Sequence, residues 1–131
     1  MEERKAVELG VANLAFVGDA IYELLVREKL ARKQASTSGV LHKATEAKVC
    51  AKAQAIAYDF IQSKLTAVEK NTMKRGRNAN TTASNRNIKP IAYKKATGLE
   101  VLFGYLFLSG NHARLNEVFL IIFEFLDTEK T

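Results

Sequence analysis

The sequence predicts an all-α fold in a single domain, and three observations carry that prediction. Apolar residues recur every three or four positions, only one proline occurs in 131 residues, and no run alternates as a half-buried strand would. A chain of this length buries a core without covalent staples. Its 47% apolar residues match a folded globular protein. With no internal repeat or linker, residues 1–131 read as one helical domain.

Leu14, Val17, Ile21, Leu24 and Leu25 stand at helical spacing and predict a helix from Asn13 to Arg32, with these five as its main apolar stripe. "QASTSG" breaks the pattern and offers Ser and Thr caps to the next helix, which reads as continuous through "VLHKATEAKVCAKAQAIAYDFIQSKL". Thr66 followed by Glu69 forms a capping-box pattern and opens a helix through "AVEKNTMKRG". Arg77 to Lys89 carries no apolar face and reads as a polar loop, of a length that is usually functional. Pro90 suits a first helical position, and a helix follows through "IAYKKATGLEVLFGYLFL". Ser109-Gly110-Asn111 closes it, and the last helix, His112 to Asp127, carries the buried run "VFLIIFEFL".

Composition excludes several classes. Cys50 is the only cysteine, so an internal disulfide and a zinc cluster are ruled out; it reads as a small buried hydrophobe. The N-terminus "MEERKAVELG" lacks the apolar core of a secretory signal, and no apolar stretch is long enough to span a bilayer. The expectation is a cytoplasmic protein with no membrane partner. A net charge of +6, from 20 Lys and Arg against 14 Asp and Glu, favours a polyanionic partner.

"LAFVGDAIYELLV" sets Asp19 between Gly18 and Ala20 in an otherwise oily helix, at a cost of roughly 1–2 kcal/mol relative to alanines. At about 100° per residue Asp19 shares a stripe with Ala12, Ala15, Phe16, Tyr22, Glu23 and Val26, on the flank of the apolar stripe. Ala15 and Ala12 leave space over it, and Glu23 stands one turn on. Glu100 is the only acid between Pro90 and Asn111, with Gly104 clearing room one turn later. Two carboxylates beside small neighbours are what a hard cation such as magnesium requires. A solvated acid or half of an ion pair is the plainer alternative, and periodicity does not show that the two helices meet.

"LAFVGDAIYELLV" resembles the signature helix of the ribonuclease III family, commonly L-E-F-L-G-D-A-V-L-E, and "TGLEVLFGYLFLSG" resembles its second acidic helix, typically D-A-F-E-A-L-I-G-A-L-Y-L-D. "LHKATEAKVCAKAQA" and "KRGRNAN" are similar to the Mini-III subgroup. The chain ends at Thr131 with no double-stranded-RNA-binding domain behind it, so the expectation is a catalytic domain standing alone. The resemblance implies that Asp19 and Glu100 are catalytic and hold Mg2+, and that Phe16 packs into a second copy in a homodimer. Departures are equally plain. The family's first glutamate falls on Ala15, its second aspartate on Thr97, and a further acid on Ser38. The ligand set shrinks to Asp19 and Glu100, with Glu23 a possible outer-shell helper.

The implied reaction is endonucleolytic hydrolysis of double-stranded RNA, leaving 5′-phosphates, with precursor large-subunit (23S) ribosomal RNA as the implied target. Lys74, Arg75, Arg77, Asn78, Asn80, Arg86 and Lys89 are the candidate RNA-binding residues, joined by Asn85, Lys94 and Lys95. Arg and Lys suit phosphates, whereas Asn both donates to and accepts from 2′-hydroxyls. His42 and His112 carry no catalytic pattern. The rival reading is a catalytically idle relative that keeps the fold and binds RNA or the ribosome.

Overall fold

The computed structural model describes residues 2, 5–6, 9–33, 35–79 and 90–128. Among them are six α-helices, one 3-10 turn and no strand: α1 (Val11–Lys33), α2 (Ser38–Val49), α3 (Ala51–Ile61), the turn Gln62–Lys64, α4 (Ala67–Asn78), α5 (Ile91–Leu108) and α6 (His112–Thr128). The all-α prediction holds. Its helices α1, α2, α4, α5 and α6 begin and end within about two residues of the predicted limits, apart from the junctions below.

Helix α5 is the axis of the molecule. Nine of its residues, from Ala96 to Leu106, are buried, and it packs on α1, α4, α3 and α6, most extensively on α1. Glycines set how closely those partners approach. A Cβ at Gly18 of α1 would overlap the carbonyl of Glu100, and one at Gly104 of α5 would overlap the carbonyl of Leu14. On the other side of α5, a Cβ at Gly76 of α4 would sit 2.8 Å from Val101, and one at Gly98 would sit 2.7 Å from the Met73 carbonyl. Side chains at these four positions would push the helices apart, so the core is built on backbone-to-backbone contact.

Aromatic and aliphatic residues fill the remaining space. Tyr22 meets Phe103 and Phe119 edge-on, at 5.2 and 6.2 Å between ring centres, and its hydroxyl donates to the Lys48 carbonyl at 3.3 Å. Burial pushes that phenol far above its usual range. The turn from α5 to α6 is closed by Gly110 at φ 81°, with its N–H on Phe107 and the Asn111 N–H on Leu106, the Schellman pattern that glycine permits.

Five expectations are corrected. The long second helix is two: Cys50 is extended (φ −64°, ψ 158°), ending α2 and opening α3. No Gly or Pro marks this break. It lets Lys48 on one side and Ala53, Ala57 and Tyr58 on the other all face the core, and Gln54 ties across it to the Val49 carbonyl at 2.8 Å. Cys50 itself is half-buried rather than buried. The buried stripe of α1 is Leu14, Gly18, Tyr22 and Val26, whereas Leu24 is exposed and Val17, Ile21 and Leu25 are half-buried. Glycine was not counted as a core residue in the sequence reading, and that shifted the stripe. Finally, Pro90 is the N-cap of α5, not its first residue, and Arg77 and Asn78 belong to the last turn of α4.

Charge pairs tie the ends of the bundle. Glu69 completes the predicted capping box with Thr66 and accepts from Nε and Nη2 of Arg114, each at 2.9 Å. Arg114 also reaches Glu117 at 2.6 Å and the Lys64 carbonyl at 2.8 Å. Burial alone would raise the Glu69 carboxyl, but hydrogen bonds from Arg114 and Thr66 outweigh it and hold the group below the usual carboxylate range. Its contribution is therefore complete above the unfolded-state value and is lost as pH falls through the lower, folded-state value. Replacing Arg114 with Met is expected to cost about 3 kcal/mol at pH 7, measured by urea denaturation. Between pH 5 and 3, Glu69→Gln is expected to lose less stability than the wild type.

Candidate active site

Asp19 and Glu100 lie on different helices, and the Gly18 contact brings those helices together at these residues. Gly18, the neighbour of Asp19, rests on the backbone of Glu100 itself. Asp19 is exposed and Glu100 half-buried, so the pair sits where the core opens to solvent. Among the described residues Asp19 is in no ion pair and accepts no side-chain hydrogen bond. No group of three or more His, Cys, Asp and Glu comes together among the described residues. Two carboxylates on abutting backbones, one of them uncommitted, fit a hard cation that keeps most of its water shell.

The neighbours divide into engaged and open groups. Glu23 is bound to Arg27 at 2.8 Å, an i,i+4 pair that turns its carboxylate along α1. Thr97, where the resemblance places a second aspartate, donates its hydroxyl to the Tyr93 carbonyl at 3.0 Å. Ala15 is half-buried, and Ser38 is the first residue of α2. His112 stacks on Phe107 at 5.2 Å, and His42 lines a small cleft between α1 and α2 with Arg27 and Thr45.

A basic helix end packs on the same helix as Glu100. A Cβ at Gly98 would lie 3.2 Å from the Arg77 N–H nitrogen, so the last turn of α4 presses on α5 within two residues of Glu100 in the chain, around the helix from the contact with α1. Lys74 and Arg75 are exposed there, with Arg75 donating to the Leu9 carbonyl at 3.3 Å. Arg77 donates to Asn78 at 3.1 Å and holds its guanidinium 5.9 Å from the Tyr58 ring centre. Cations in this last turn also complement the helix dipole. Lys94 is exposed, whereas Lys95 is committed to Asp59 at 2.9 Å. Asn80, Asn85, Arg86 and Lys89 lie outside the described residues.

Phe16 is 81% exposed and is not part of the core. With Ala20 and Leu24 it forms an open stripe on α1, next to Asp19. The periodicity of α1 had hidden this face by assigning Leu24 to the core.

An all-helical domain with acids on two abutting helices and a basic helix end packed on one of them has the form of a helical nuclease domain. The ribonuclease III domain matches residues 12–111, and the chain belongs to that family. Mini-ribonuclease 3 of Thermoanaerobacter sp. (strain X514) is 40% identical over 105 residues, covering 80% of this chain and 74% of that protein. Mini-ribonuclease 3 of Brevibacillus brevis is 41% identical over 116 residues, covering 88% and 87%. A crystal structure of a Fusobacterium nucleatum protein superposes with a TM-score of 0.76 at 32% identity, over 89% of this chain and 93% of that one.

Because the acids are placed by backbone contact, Gly18→Ala is expected to destabilise the fold by about 3 kcal/mol or more, read by thermal melting. Gly39, whose Cβ would meet nothing within 4 Å, is the control: Gly39→Ala is expected to melt at or slightly above the wild-type temperature.

Proposed function

We propose that Asp19 and Glu100 hold Mg2+ and carry the hydrolysis of double-stranded RNA by a homodimer of this chain. The chain is an endoribonuclease of the ribonuclease III type. The observation that supports the site assignment is the contact of Gly18, the neighbour of Asp19, with the backbone of Glu100.

When bound, the ion would supply an activated water and offset negative charge on the phosphate. The chain's own residues do the rest. Asp19 and Glu100 fix the ion's place, and the rigid crossing of α1 and α5 keeps that place constant relative to the substrate. Lys74, Arg75 and Arg77 receive phosphates along the duplex and orient the strand, with Asn78 offered to a 2′-hydroxyl. The Tyr58 ring beneath Arg77 limits where that guanidinium can go.

The open stripe of Phe16, Ala20 and Leu24 is the surface proposed to pair with a second copy. A two-fold arrangement sets two sites against the two antiparallel strands. No described helix is long and apolar enough to cross a membrane. On the Mini-III resemblance, we take precursor large-subunit ribosomal RNA as the physiological target and the cytoplasm as the compartment.

With a long duplex RNA and magnesium, Asp19→Asn and Glu100→Gln are each expected to lower cleavage at least about 100-fold while binding persists. Cleavage that survives both substitutions overturns the site assignment. Salt-sensitive binding by a wild type that cuts nothing, with magnesium or manganese, identifies an idle RNA-binding relative instead. The double change Lys74→Ala, Arg75→Ala is expected to reduce the slope of log affinity against log salt by about 2. Phe16→Lys is expected to convert the dimer to monomer in sedimentation.

A further inference from the structure

The face of α5 that carries Glu100 continues toward the start of the helix. Tyr93, Thr97, Glu100 and Gly104 lie at i, i+4, i+7 and i+11, within about 60° of one another around the axis. Its far end is closed, since Gly104 rests on the Leu14 carbonyl and Glu100 on Gly18. Its near end is open: Tyr93 is 55% exposed, although tyrosine is a residue the core would otherwise take. Seven residues of helix place it about 10 Å from Glu100, a few nucleotides along a bound strand.

The surroundings fix the Tyr93 backbone and leave its phenol uncommitted. Thr97 donates to the Tyr93 carbonyl at 3.0 Å, and Lys95, two residues on, is anchored to Asp59 of α3 at 2.9 Å. The Tyr93 hydroxyl has no hydrogen bond among the described residues. Next to it in the chain stands the exposed Lys94, and the basic end of α4 packs on the same helix at Gly98.

We propose that Tyr93 reads a ribose 2′-hydroxyl of the strand lying over Glu100, and so contributes to the preference for RNA over DNA; this rests on the duplex-RNA reading above. The chemistry distinguishes the two groups the phenol could meet. A phosphate oxygen only accepts, and the exposed ammonium of Lys94, the next residue, already serves it. A 2′-hydroxyl both donates and accepts, as a neutral phenol does. The ring also offers a rigid apolar edge to the ribose at low conformational cost. Tyr93 is thus a specificity-determining residue.

The test uses a duplex with one cleavage site, and matched duplexes carrying a single 2′-deoxy nucleotide walked along each strand. Binding is read without added metal and cleavage with magnesium, for wild type and Tyr93→Phe. Tyr93→Phe is expected to weaken binding and kcat/KM on the all-RNA duplex about 3- to 10-fold. One deoxy position is expected to cost the wild type the same factor and to cost the variant nothing further, the coupling of a double-mutant cycle. The melting temperature should not change, because the removed oxygen bonds no described residue. The proposal is overturned if Tyr93→Phe binds and cuts like wild type, or if every deoxy position costs both proteins equally. A wild type that binds but does not cleave defeats the nuclease reading alone, since the binding cycle still reads the Tyr93 contact.

Discussion

The contact on which the molecule depends is a mutual one between two backbones. Gly18 of α1 occupies the space over Glu100, and Gly104 of α5 occupies the space over Leu14. Each glycine is the gap into which the other helix settles, so the two cannot slide or rotate without collision. Interiors at crystal-like density transmit such a constraint to every neighbour. Tyr22, one turn past Gly18, is thereby set edge-on against Phe103, one residue before Gly104. The same crossing decides that Asp19, which contributes nothing to the core, emerges beside Glu100.

A second glycine pair does the corresponding work for the basic end. Gly76 and Gly98 let α4 press onto α5, around the helix from its contact with α1, and the cationic last turn of α4 is held against α5 at Gly98. Asp19 and the basic helix end are each held against α5 by glycine contacts, from two different helices.

Several charges are committed to pairs between helices. Arg114 is shared by Glu69, Glu117 and the Lys64 carbonyl; Lys48 lies buried over Phe123 with Asp127, which also meets Lys33; Lys95 holds Asp59. These pairs join α4 to α6, α2 to α6 and α5 to α3, and each stands away from the crossing of α1 with α5. Lys29, Lys43, Lys52, Lys70, Lys74 and Lys94 are exposed and in no ion pair among the described residues, so the net charge of +6 is divided between pairs that hold the bundle and cations open to solvent.

Much of this was fixed by local order. The helical period, the Thr66–Glu69 box, the Ser109-Gly110-Asn111 stop and the oddity of Asp19 and Glu100 are short-range features, and each is visible in the residues because its physics acts within a turn or two. The break at Cys50 was not visible, since no residue there forbids a helix and only the need to face one core from two directions bends the chain. Nor was the true buried stripe of α1. A glycine carries no hydrophobic signal, yet Gly18 is the most tightly packed point of the helix, and recognising it required the backbone of α5. The sequence by itself determined which residues are chemically unusual. Only the tertiary structure decided that two of them meet, because that meeting is made by absent side chains on a partner helix eighty residues away.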